Sequence, residues 1–369
     1  MLTNYDVTFP EYSIGDRVYE KIGAVCRPYG NKAVIVGGKQ ALEAAGEEIS
    51  KHTKEQGISI TGVLWYGGEA SYENVNRLME DPAVKQADMI FAVGGGKALD
   101  TGKCTAVKMG KPVFAFPTIA STCAACTSVS IMYEPSGVFK GPFFFEKPPV
   151  HTFIQTTILA QAPKRYLWAG MGDTYAKYYE STISSRGEEL PHYYTLGITM
   201  SRMCLEPILL YGKKAYEDNE KQVVSYELEQ VILAIIVTTA MVSILVTKEH
   251  KIDYNTGMGH AVFYALTSLE HVEKEHLHGE VVAFGILILL LVDHDREELN
   301  RLYRFHQSVG LPVRISDIGV TKEELEQVLP KIASMPDIAH NPYPVTYDMV
   351  KEAFEELEAM ADRETISER

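Results

Sequence analysis

The chain has 369 residues, a hydrophobic fraction of 46% and a formal net charge of −14 at pH 7. The length allows two ordinary domains, and the composition is that of a globular protein with a large core. The negative charge favours solubility and argues against nucleic acid or an anionic membrane as a partner, because both carry charge of the same sign.

Alternating strand and helix patterns fill the N-terminal third of the chain. The apolar runs and the helical spacings are separated by short turns that contain glycine. This order predicts a parallel sheet that is covered by helices on both faces. The predicted strands are 32–37, 58–66, 87–93 and 112–117, and the predicted helices are 16–29, 39–54, 72–80 and 97–109.

The pattern becomes helical from about residue 159, with prolines between the helices. We therefore predict an α/β domain over 1–160 and an all-helical domain over 161–369. The segment 132–157, which contains paired prolines, predicts a hairpin or two extended strands. A charged amphipathic helix is expected over 350–360, and we expect the last few residues to be frayed.

Apolar runs at 231–246 and 285–292 predict buried helices, because the longer run has only 16 residues and is short for a membrane span. Residues 1–9 have neither the basic start nor the apolar core of a signal peptide.

The five cysteines are scattered through apolar segments, which is typical of reduced thiols in a cytoplasmic protein. Cys123 and Cys126 form a C-x-x-C without a second pair, so a structural zinc is not expected there.

A carboxylate and two histidines in the second half form a candidate metal site. Asp173 lies in a Gly-Met-Gly-Asp-Thr sequence, His260 in Gly-His-Ala-Val and His278 in His-Gly-Glu. One carboxylate and two imidazoles suit a catalytic zinc or ferrous ion that keeps an open position for substrate. The alternative is that Asp173 caps a helix and that the histidines are satisfied core or surface residues.

The spacing of the two histidines bears on this site. His260 and His278 are 18 residues apart, which is about five turns of an ideal helix. A single helix is not expected, because the intervening 270–276 is too polar for a buried span, so we predict two helices joined by a polar turn. Nearby, His276 is either a proton relay or a solvated histidine, and Glu280 is expected to orient a ligand or cap a helix rather than act as a base.

A glycine triplet, Gly94, Gly95 and Gly96, follows an apolar strand and opens a helix. Its backbone N–H groups and the helix N-terminus form an anion site that a pyrophosphate could approach closely. The next strand ends in 117–122, whose hydroxyls suit ribose and nicotinamide contacts at the carboxyl edge of the sheet. Alternatively, the glycines serve only to make a tight turn, and 117–122 is an ordinary loop.

Four motifs in order along the chain carry a family resemblance. They are GGGKALDTGK at 94–103, PTIAST at 117–122, GMGDT at 170–174 and HGEVVAFG at 278–285. Together they resemble the glycerol dehydrogenase branch of the metal-dependent, iron-containing alcohol dehydrogenase superfamily. The resemblance implies a dehydroquinate synthase-like fold, in which an α/β nucleotide-binding domain and an all-helical metal-binding domain enclose a cleft. It also implies hydride transfer between NAD(P)(H) and a small-molecule substrate at a zinc or ferrous ion.

The resemblance also assigns residues by position. It implies that Asp173, His260 and His278 bind the metal and form the catalytic centre. We further expect a cytoplasmic homo-oligomer that binds neither nucleic acid nor a membrane. The residues implied to contact the cofactor are Gly94, Gly95, Gly96, Lys97, Thr118 and Ser121, with Thr127, Val129 and Tyr133 at its nicotinamide end.

Two departures from glycerol dehydrogenases concern substrate and cofactor. Cys123 stands where those enzymes carry an aspartate near the polyol hydroxyls, so it is a candidate substrate contact. Gly37, Gly38 and Lys39 stand where an acidic residue holds the adenosine ribose. Both departures resemble hydroxycarboxylate dehydrogenase B, which reduces 2-oxo acids with NADPH. Lys39 could then receive the 2′-phosphate of NADPH; alternatively, it is a solvated helix-start residue or pairs with Glu43.

The substrate class stays open between a polyol and a 2-hydroxy or 2-oxo acid. The alternative activity is a dehydroquinate synthase-like lyase, which uses a metal and turns its NAD over internally. A nucleotide-binding or assembly protein without catalysis is disfavoured, because all three candidate metal ligands are present.

Overall fold

The computed structural model describes residues 4–367. The chain divides into two compact units, which are Met1–Pro163 with Asp218–Ile244 and Lys164–Glu217 with Leu245–Arg369. Residues 218–244 thus group with the first unit, which a single boundary at residue 160 does not anticipate. The assignment of 1–160 and 161–369 as two functional domains stays a prediction.

In the part of the first unit before residue 164, strands and helices alternate as far as β5, and three further strands and one helix follow. The strands are β1 (Tyr12–Gly15), β2 (Lys32–Gly37), β3 (Ser59–Trp65), β4 (Met89–Gly94), β5 (Val113–Pro117), β6 (Val129–Tyr133), β7 (Phe139–Phe144) and β8 (His151–Gln155). The helices are α1 (Ile22–Cys26), α2 (Lys39–Glu55), α3 (Tyr72–Glu80), α4 (Pro82–Gln86), α5 (Gly96–Met109) and α6 (Thr156–Gln161), with 3-10 turns at Val18–Lys21 and Arg27–Tyr29.

Six of these strands form one parallel sheet, which confirms the predicted α/β architecture. Their order across the sheet is β1, β8, β5, β4, β2, β3. The strands β2, β4 and β5 are buried along nearly their whole length, because their sequences are continuous apolar runs. Aromatic rings fill much of this core, including Phe116 stacked on Phe153 with ring centroids 4.9 Å apart.

Two segments of the first unit differ from the prediction. The helix predicted over 16–29 is the short α1 flanked by two 3-10 turns, and α1 ends before Pro28, which has no N–H group to extend an α-helix. The hairpin predicted over 132–157 consists of β6 and β7, which pair antiparallel, whereas β8 joins the main sheet. The polar residues His151 and Gln155 are buried in β8, and their polarity conceals a core strand in the sequence.

The regular elements that follow in the described chain are all helical, as predicted. They are α7 (Lys164–Ser184), α8 (His192–Met200), α9 (Arg202–Glu220), α10 (Tyr226–Leu233), α11 (Thr239–Val246), α12 (Met258–Leu266), α13 (Glu270–Glu275), α14 (His278–Val292), α15 (Arg296–Val309), α16 (Lys322–Ile332) and α17 (Tyr347–Ser367). A π-helical stretch, Ala234–Thr238, joins α10 to α11, and 3-10 turns occur at Ile315–Ile318 and Pro336–Ile338.

The two apolar runs form buried helices, as predicted. Among the described residues, one helix, Tyr226–Val246, is long and apolar enough to cross a membrane. Of its most apolar stretch of 18 residues, 72% is buried. Core helices of globular proteins have the same length and composition. The second run lies in α14, which is buried from Gly279 to Val292 and packs against α7, α12, α15 and α17. The centre of the second unit is therefore this helix.

The C-terminal helix is longer than predicted. Its amphipathic part was expected over 350–360, whereas α17 continues to Ser367. It packs against α14 and α16, and the buried Val350, Phe354 and Leu357 recur at helical spacing. The predicted fraying falls partly on 368 and 369, which lie outside the described residues.

Candidate active site

Three packed helices bring the predicted metal ligands together. Asp173 lies on α7, His260 on α12, and His278 begins α14. Both α7 and α12 pack against α14. Asp173 is in the interior of its helix, so the alternative that it caps a helix is wrong. The two histidines lie on separate helices, as predicted, and the polar segment between them forms the short α13.

Glycines beside the ligands allow these helices to cross closely. A Cβ atom on Gly172 would lie 2.3 Å from the carbonyl oxygen of Gly279, and one on Gly285 would lie 2.7 Å from that of Gly259. Real Cβ atoms do not approach backbone that closely, so a side chain at either crossing would force the helices apart. Each candidate ligand adjoins one of these glycines in sequence, and the crossings therefore fix the backbone beside all three.

The three side chains fit a divalent metal ion. Within the described residues, Asp173, His260 and His278 each offer one ligand atom, and these atoms lie within 4.8 Å of one another. Asp173 Oδ1 is 3.3 Å from His278 Nε2 and 3.9 Å from His260 Nε2. Two ligands that each bind one zinc ion at about 2.1 Å lie at most about 4.2 Å apart, so both separations allow a shared ion. The donor set leaves a position open for substrate.

Electrostatics at this centre favour a cation. Burial raises the pKa of the Asp173 carboxyl, but His278, His260 and Lys177 lower it, and the net result is a pKa of about 2. Asp173 is therefore ionised at neutral pH and can bind a metal without losing a proton. Burial lowers the pKa of His260, while Glu180 and Asp173 raise it by more, so that pKa is raised overall.

Glu180 is a functional candidate that no motif indicates. It lies seven residues after Asp173 on α7 and is 1% exposed. Its Oε2 is 2.8 Å and its Oε1 3.0 Å from His260 Nδ1. Its Oε1 also accepts hydrogen bonds from the backbone N–H groups of Gly257 at 2.9 Å and His260 at 3.0 Å. The spacing from Asp173, which puts both carboxylates on one helix face, is the signal that could have found it.

Glu280 caps the N-terminus of α14. Its Oε2 accepts a hydrogen bond from the Leu277 N–H at 2.9 Å, and its Oε1 is 2.8 Å from His276 Nδ1. The capping alternative for Glu280 is thus confirmed. His276 is a hydrogen-bonded side chain, 15% exposed, rather than a solvated one.

The glycine triplet lies at the carboxyl edge of the sheet in the first unit. Gly94 ends β4 with φ +140°, a conformation that favours glycine, and Gly95 and Gly96 open α5. The Gly38 N–H after β2 donates to a carbonyl of β4 at 3.3 Å, and the Thr118 N–H after β5 donates to Gly94 O at 3.2 Å. Because β2 pairs with β3 on one side and β4 on the other, the turns after β2 and β4 flank the switch point where open α/β sheets bind ligands.

Two lysines at this edge lie against aromatic rings. Lys97 Nζ is 2.7 Å from Glu69 Oε2 and 4.9 Å from the ring centroid of Tyr133. Lys39 is the first residue of α2, and its Nζ lies 4.5 Å from the ring centroid of Trp65, which ends β3 and is 44% exposed. Both cations are therefore held at the edge that carries the glycine turns.

A buried ion pair fastens the β6–β7 hairpin to α5. Lys103 is fully buried; its Nζ is 2.9 Å from Asp100 Oδ1 and donates to Thr127 Oγ1 at 3.0 Å and to Val129 O at 2.6 Å. Asp100 Oδ2 accepts a hydrogen bond from the Ile131 N–H at 3.2 Å. The helix that the glycine triplet opens thus positions Thr127 and Val129, which were predicted at the nicotinamide end of the cofactor.

The remaining predicted residues lie in the loop after β5. Ser121 and Cys123 are partly buried, and the Cys123 carbonyl accepts a hydrogen bond from the Cys126 N–H at 3.0 Å. Cys126 is buried, and burial raises the pKa of its thiol to about 12. Cys126 is therefore an inert core thiol, and Cys123 is the more accessible of the two.

Known proteins share both the sequence and the fold of this chain. A model of the family described as "Iron-containing alcohol dehydrogenase" matches residues 10–149. The chain is 36% identical to glycerol dehydrogenase of Thermotoga maritima over 81% of this chain and 80% of that protein. It is 30% identical to hydroxycarboxylate dehydrogenase A of Escherichia coli over 89% of this chain and 90% of that protein. The crystal structure of a probable glycerol dehydrogenase from Sinorhizobium meliloti matches with a TM-score of 0.81 and 27% identity, covering 98% of this chain and 99% of that one.

Together with the fold and the donor set, these matches define a metal-dependent, NAD-linked oxidoreductase of the alcohol dehydrogenase type. More narrowly, the chain belongs to the iron-containing alcohol dehydrogenase family, in its glycerol dehydrogenase-like branch. The expected resemblance to hydroxycarboxylate dehydrogenase B is corrected, because the hydroxycarboxylate enzyme among these relatives is dehydrogenase A.

Proposed function

We propose that this enzyme transfers a hydride between NAD(P)(H) and a small alcohol or carbonyl compound. In this proposal Asp173, His260 and His278 hold a zinc or ferrous ion and form the catalytic centre. The observation that carries the proposal is the convergence of one ionised carboxylate and two imidazoles within 4.8 Å, where three helices cross. The dehydrogenases among the relatives favour this activity over an internal lyase reaction.

The protein side of the chemistry follows from the three donors. When bound, the metal supplies a Lewis acid for the substrate oxygen, and the nicotinamide supplies the hydride chemistry. Asp173 contributes a negative charge that persists at neutral pH. The His278 side chain is 36% exposed and that of His260 only 9%, so substrate approaches from the His278 side. Phe263 packs edge-on against the His278 ring, with centroids 4.3 Å apart, and supplies an apolar wall that restricts water.

The cofactor site is proposed at the switch point of the sheet. Gly94, Gly95 and Gly96 receive the pyrophosphate, because the backbone N–H groups of a glycine turn and a helix N-terminus attract anions. Lys97 exchanges its partner Glu69 for a phosphate oxygen. The side chains that complete this site are Thr118 and Ser121 toward the ribose and nicotinamide, and Thr127, Val129 and Tyr133 at the nicotinamide end.

Cys123 is the proposed substrate contact. A thiol at this position, in place of the carboxylate of glycerol dehydrogenases, removes a negative charge that would repel the carboxylate of a 2-oxo acid. The 2-hydroxy acid and 2-oxo acid couple is therefore our first candidate, and the hydroxycarboxylate relative supports it. A glycerol-type polyol is the second candidate, supported by the glycerol dehydrogenase relative.

Lys39 is the proposed determinant of cofactor choice. NAD-specific sites commonly place a carboxylate beyond an early strand, where it binds the ribose hydroxyls and repels a 2′-phosphate. Here β2 is followed by Gly38 and Lys39, and the lysine Nζ lies over Trp65 at the same edge of the sheet. An ammonium group there binds a 2′-phosphate as a point charge, which favours NADPH.

We infer that the protein is a cytoplasmic homo-oligomer. The five cysteines are thiols within residues 4–367, which is typical of a reducing compartment. The homo-oligomer is expected from the family resemblance, and light scattering of the purified protein measures it directly. Nucleic acid and membrane partners are not proposed, in keeping with the net charge of −14.

The activity is tested by following absorbance of the reduced nicotinamide in metal-loaded protein. NADH and NADPH are each crossed with hydroxyketones of the glycerol type and with 2-oxo acids. We expect net oxidation of at least one cofactor with one of these classes, and no turnover in His278→Ala. Stoichiometric oxidation also excludes the lyase, which regenerates its cofactor. Absence of net oxidation in all combinations would contradict the proposal.

A further inference from the structure

We infer that Glu180 is a positioning residue that fixes His260 in the tautomer and orientation that bind the metal. This inference rests on the proposed function, because it requires His260 to be a metal ligand. Glu180 is distinct from the ligand set: its carboxylate lies 2.8 Å from Nδ1 of the imidazole, whereas Nε2 faces Asp173 at 3.9 Å.

The hydrogen bonds of Glu180 determine where the His260 proton lies. A carboxylate can only accept hydrogen bonds, and both of its oxygens lie within 3.0 Å of His260 Nδ1. The proton of the neutral imidazole is therefore on Nδ1, and Nε2 keeps its lone pair. The lone pair of Nε2 is directed to the side of the ring where Asp173 and His278 offer their own donor atoms. A carboxylate that accepts the other ring N–H of a metal-binding histidine also raises the basicity of that ligand.

The same carboxylate fixes the backbone at the start of α12. The N–H groups of the first helical turn have no partner within the helix. Glu180 Oε1 accepts hydrogen bonds from two of the N–H groups at this terminus, those of Gly257 and His260. A Cβ on Gly259 would lie 3.1 Å from Oε1, so the helix start and the carboxylate are in close contact. Glu180 therefore constrains both the ring of His260 and the backbone that carries it.

The helix α7 thus carries both the proposed ligand Asp173 and Glu180, which positions the proposed ligand His260. Asp173 and Glu180 are seven residues apart, or about two turns of α7, and lie on the same face. Glu180 is 1% exposed, and a charged side chain is rarely buried to that degree unless it is paired. The contacts to His260 and to the start of α12 account for its burial.

The test measures Zn²⁺ affinity of the full chain by competition with a chromogenic chelator. Glu180→Gln keeps the shape but replaces one acceptor oxygen with an NH₂ donor, and we expect it to bind Zn²⁺ about 10–100-fold more weakly. Glu180→Asp keeps the charge, and we expect it to retain part of the Zn²⁺ affinity. It serves as the second variant if Glu180→Gln does not fold. The visible spectrum of bound Co²⁺ should change in both variants, because the orientation of a ligand changes.

Glu298→Gln is the matched control. Glu298 is a partly buried hydrogen-bond acceptor in the same unit, where it receives the Tyr179 hydroxyl at 2.7 Å, and it has no part in the metal site. Its substitution should lower thermal stability without changing Zn²⁺ affinity or the Co²⁺ spectrum. If the Glu180 variants fold and keep the wild-type Zn²⁺ affinity and Co²⁺ spectrum, the positioning role of Glu180 is overturned, whereas the proposed metal site stands. A wild-type protein that binds no Zn²⁺ would overturn the proposed metal site, and this inference with it.

Discussion

Gly172 and Gly279 approach so closely that neither can carry a side chain. A Cβ on Gly172 would lie 2.3 Å from the Gly279 carbonyl oxygen, and a Cβ on Gly279 would lie 1.9 Å from the carbonyl oxygen of Ala169. Asp173 and His278 are the sequence neighbours of this contact, and their donor atoms are 3.3 Å apart. The crossing of α7 and α14 is therefore a condition for the metal site as well as for the core.

The first prediction concerns this crossing. Gly279→Ala places a methyl group against backbone that can yield only if the two helices separate, so we expect a loss of about 1–3 kcal/mol in the free energy of unfolding. Because the helices must separate, Zn²⁺ affinity should fall as well. Urea unfolding and chelator competition measure the two effects.

Gly46→Ala is the control for that substitution. Gly46 lies within α2, where a Cβ would be 3.7 Å from its nearest neighbour, an ordinary contact. We expect Gly46→Ala to be neutral or to stabilise the protein by about 0.5–1 kcal/mol. If Gly279→Ala matched it in stability and bound Zn²⁺ normally, the role of the crossing would be refuted.

The second prediction concerns the buried ion pair of α5. Lys103→Met leaves the buried Asp100 without its cation, and breaking such a pair is expected to cost about 3–5 kcal/mol. Thr127 and Val129 lose their donor, so the dissociation constant for NADH should rise. Adding Asp100→Asn removes the uncompensated charge and should restore part of the stability measured by urea unfolding. Equal stability of the single and double variants would argue against a paired charge.

The sequence predicted the sheet well where local signals are strong. The strands β2 and β4 are apolar runs that end in glycine, and both were predicted close to their observed bounds. It did not predict β1, because Tyr12–Gly15 has four residues and only one aliphatic side chain. That strand exists through its pairing with β8, a contact between segments far apart in the chain. Non-local pairing of this kind leaves no local pattern.

The residues of the candidate metal site were likewise predicted only in part. Asp173, His260 and His278 were found through motifs in which a ligand adjoins a glycine, and they converge in the structure. Glu180 was not found, because a glutamate on a helix is ordinarily solvated, and its role arises only from the approach of α12. Lys103 was missed for a similar reason, since nothing in the sequence shows that a lysine on α5 is fully buried.

The third prediction concerns pH. Burial lowers the pKa of His306 from 6.5 to about 4. Its Nδ1 donates to Pro312 O at 2.8 Å and its Nε2 accepts from the Tyr175 hydroxyl at 2.7 Å, so the folded protein holds the neutral ring. The unfolded chain takes up the proton first as the pH falls. Stability contributed by the neutral ring is therefore complete above about pH 6.5 and is lost toward about pH 4, by up to about 3 kcal/mol.

Urea unfolding of wild type and His306→Gln at about pH 7 and about pH 5 measures this effect. The variant removes the titrating ring, so its stability should fall less between the two pH values than that of the wild type. The pKa of His260 is raised, which has the opposite sign, but His260 is present in both proteins and cancels in the difference. Equal pH dependence of the two proteins would show that His306 is not held neutral.

The fourth prediction concerns cofactor choice. Lys39→Ala should weaken NADPH binding about tenfold, or about 1.4 kcal/mol, and leave NADH binding unchanged, because only NADPH carries the 2′-phosphate. Trp65 lies under this lysine and is one of two tryptophans in the chain, so quenching of its fluorescence can report both dissociation constants. Lys51→Ala, an exposed position on α2, is the control. An equal effect on both cofactors, or none, would rule out Lys39 as the determinant.

The central claim is that Asp173, His260 and His278 bind one divalent metal, and a crystal structure of the zinc-loaded protein tests it most directly. An anomalous difference map recorded at the zinc edge should show one peak within about 2.0–2.2 Å of Asp173 Oδ1 and of Nε2 of both histidines. The same map from His278→Ala should lack the peak while the fold is retained. A zinc peak at any other position, with none among these three side chains, would contradict the account.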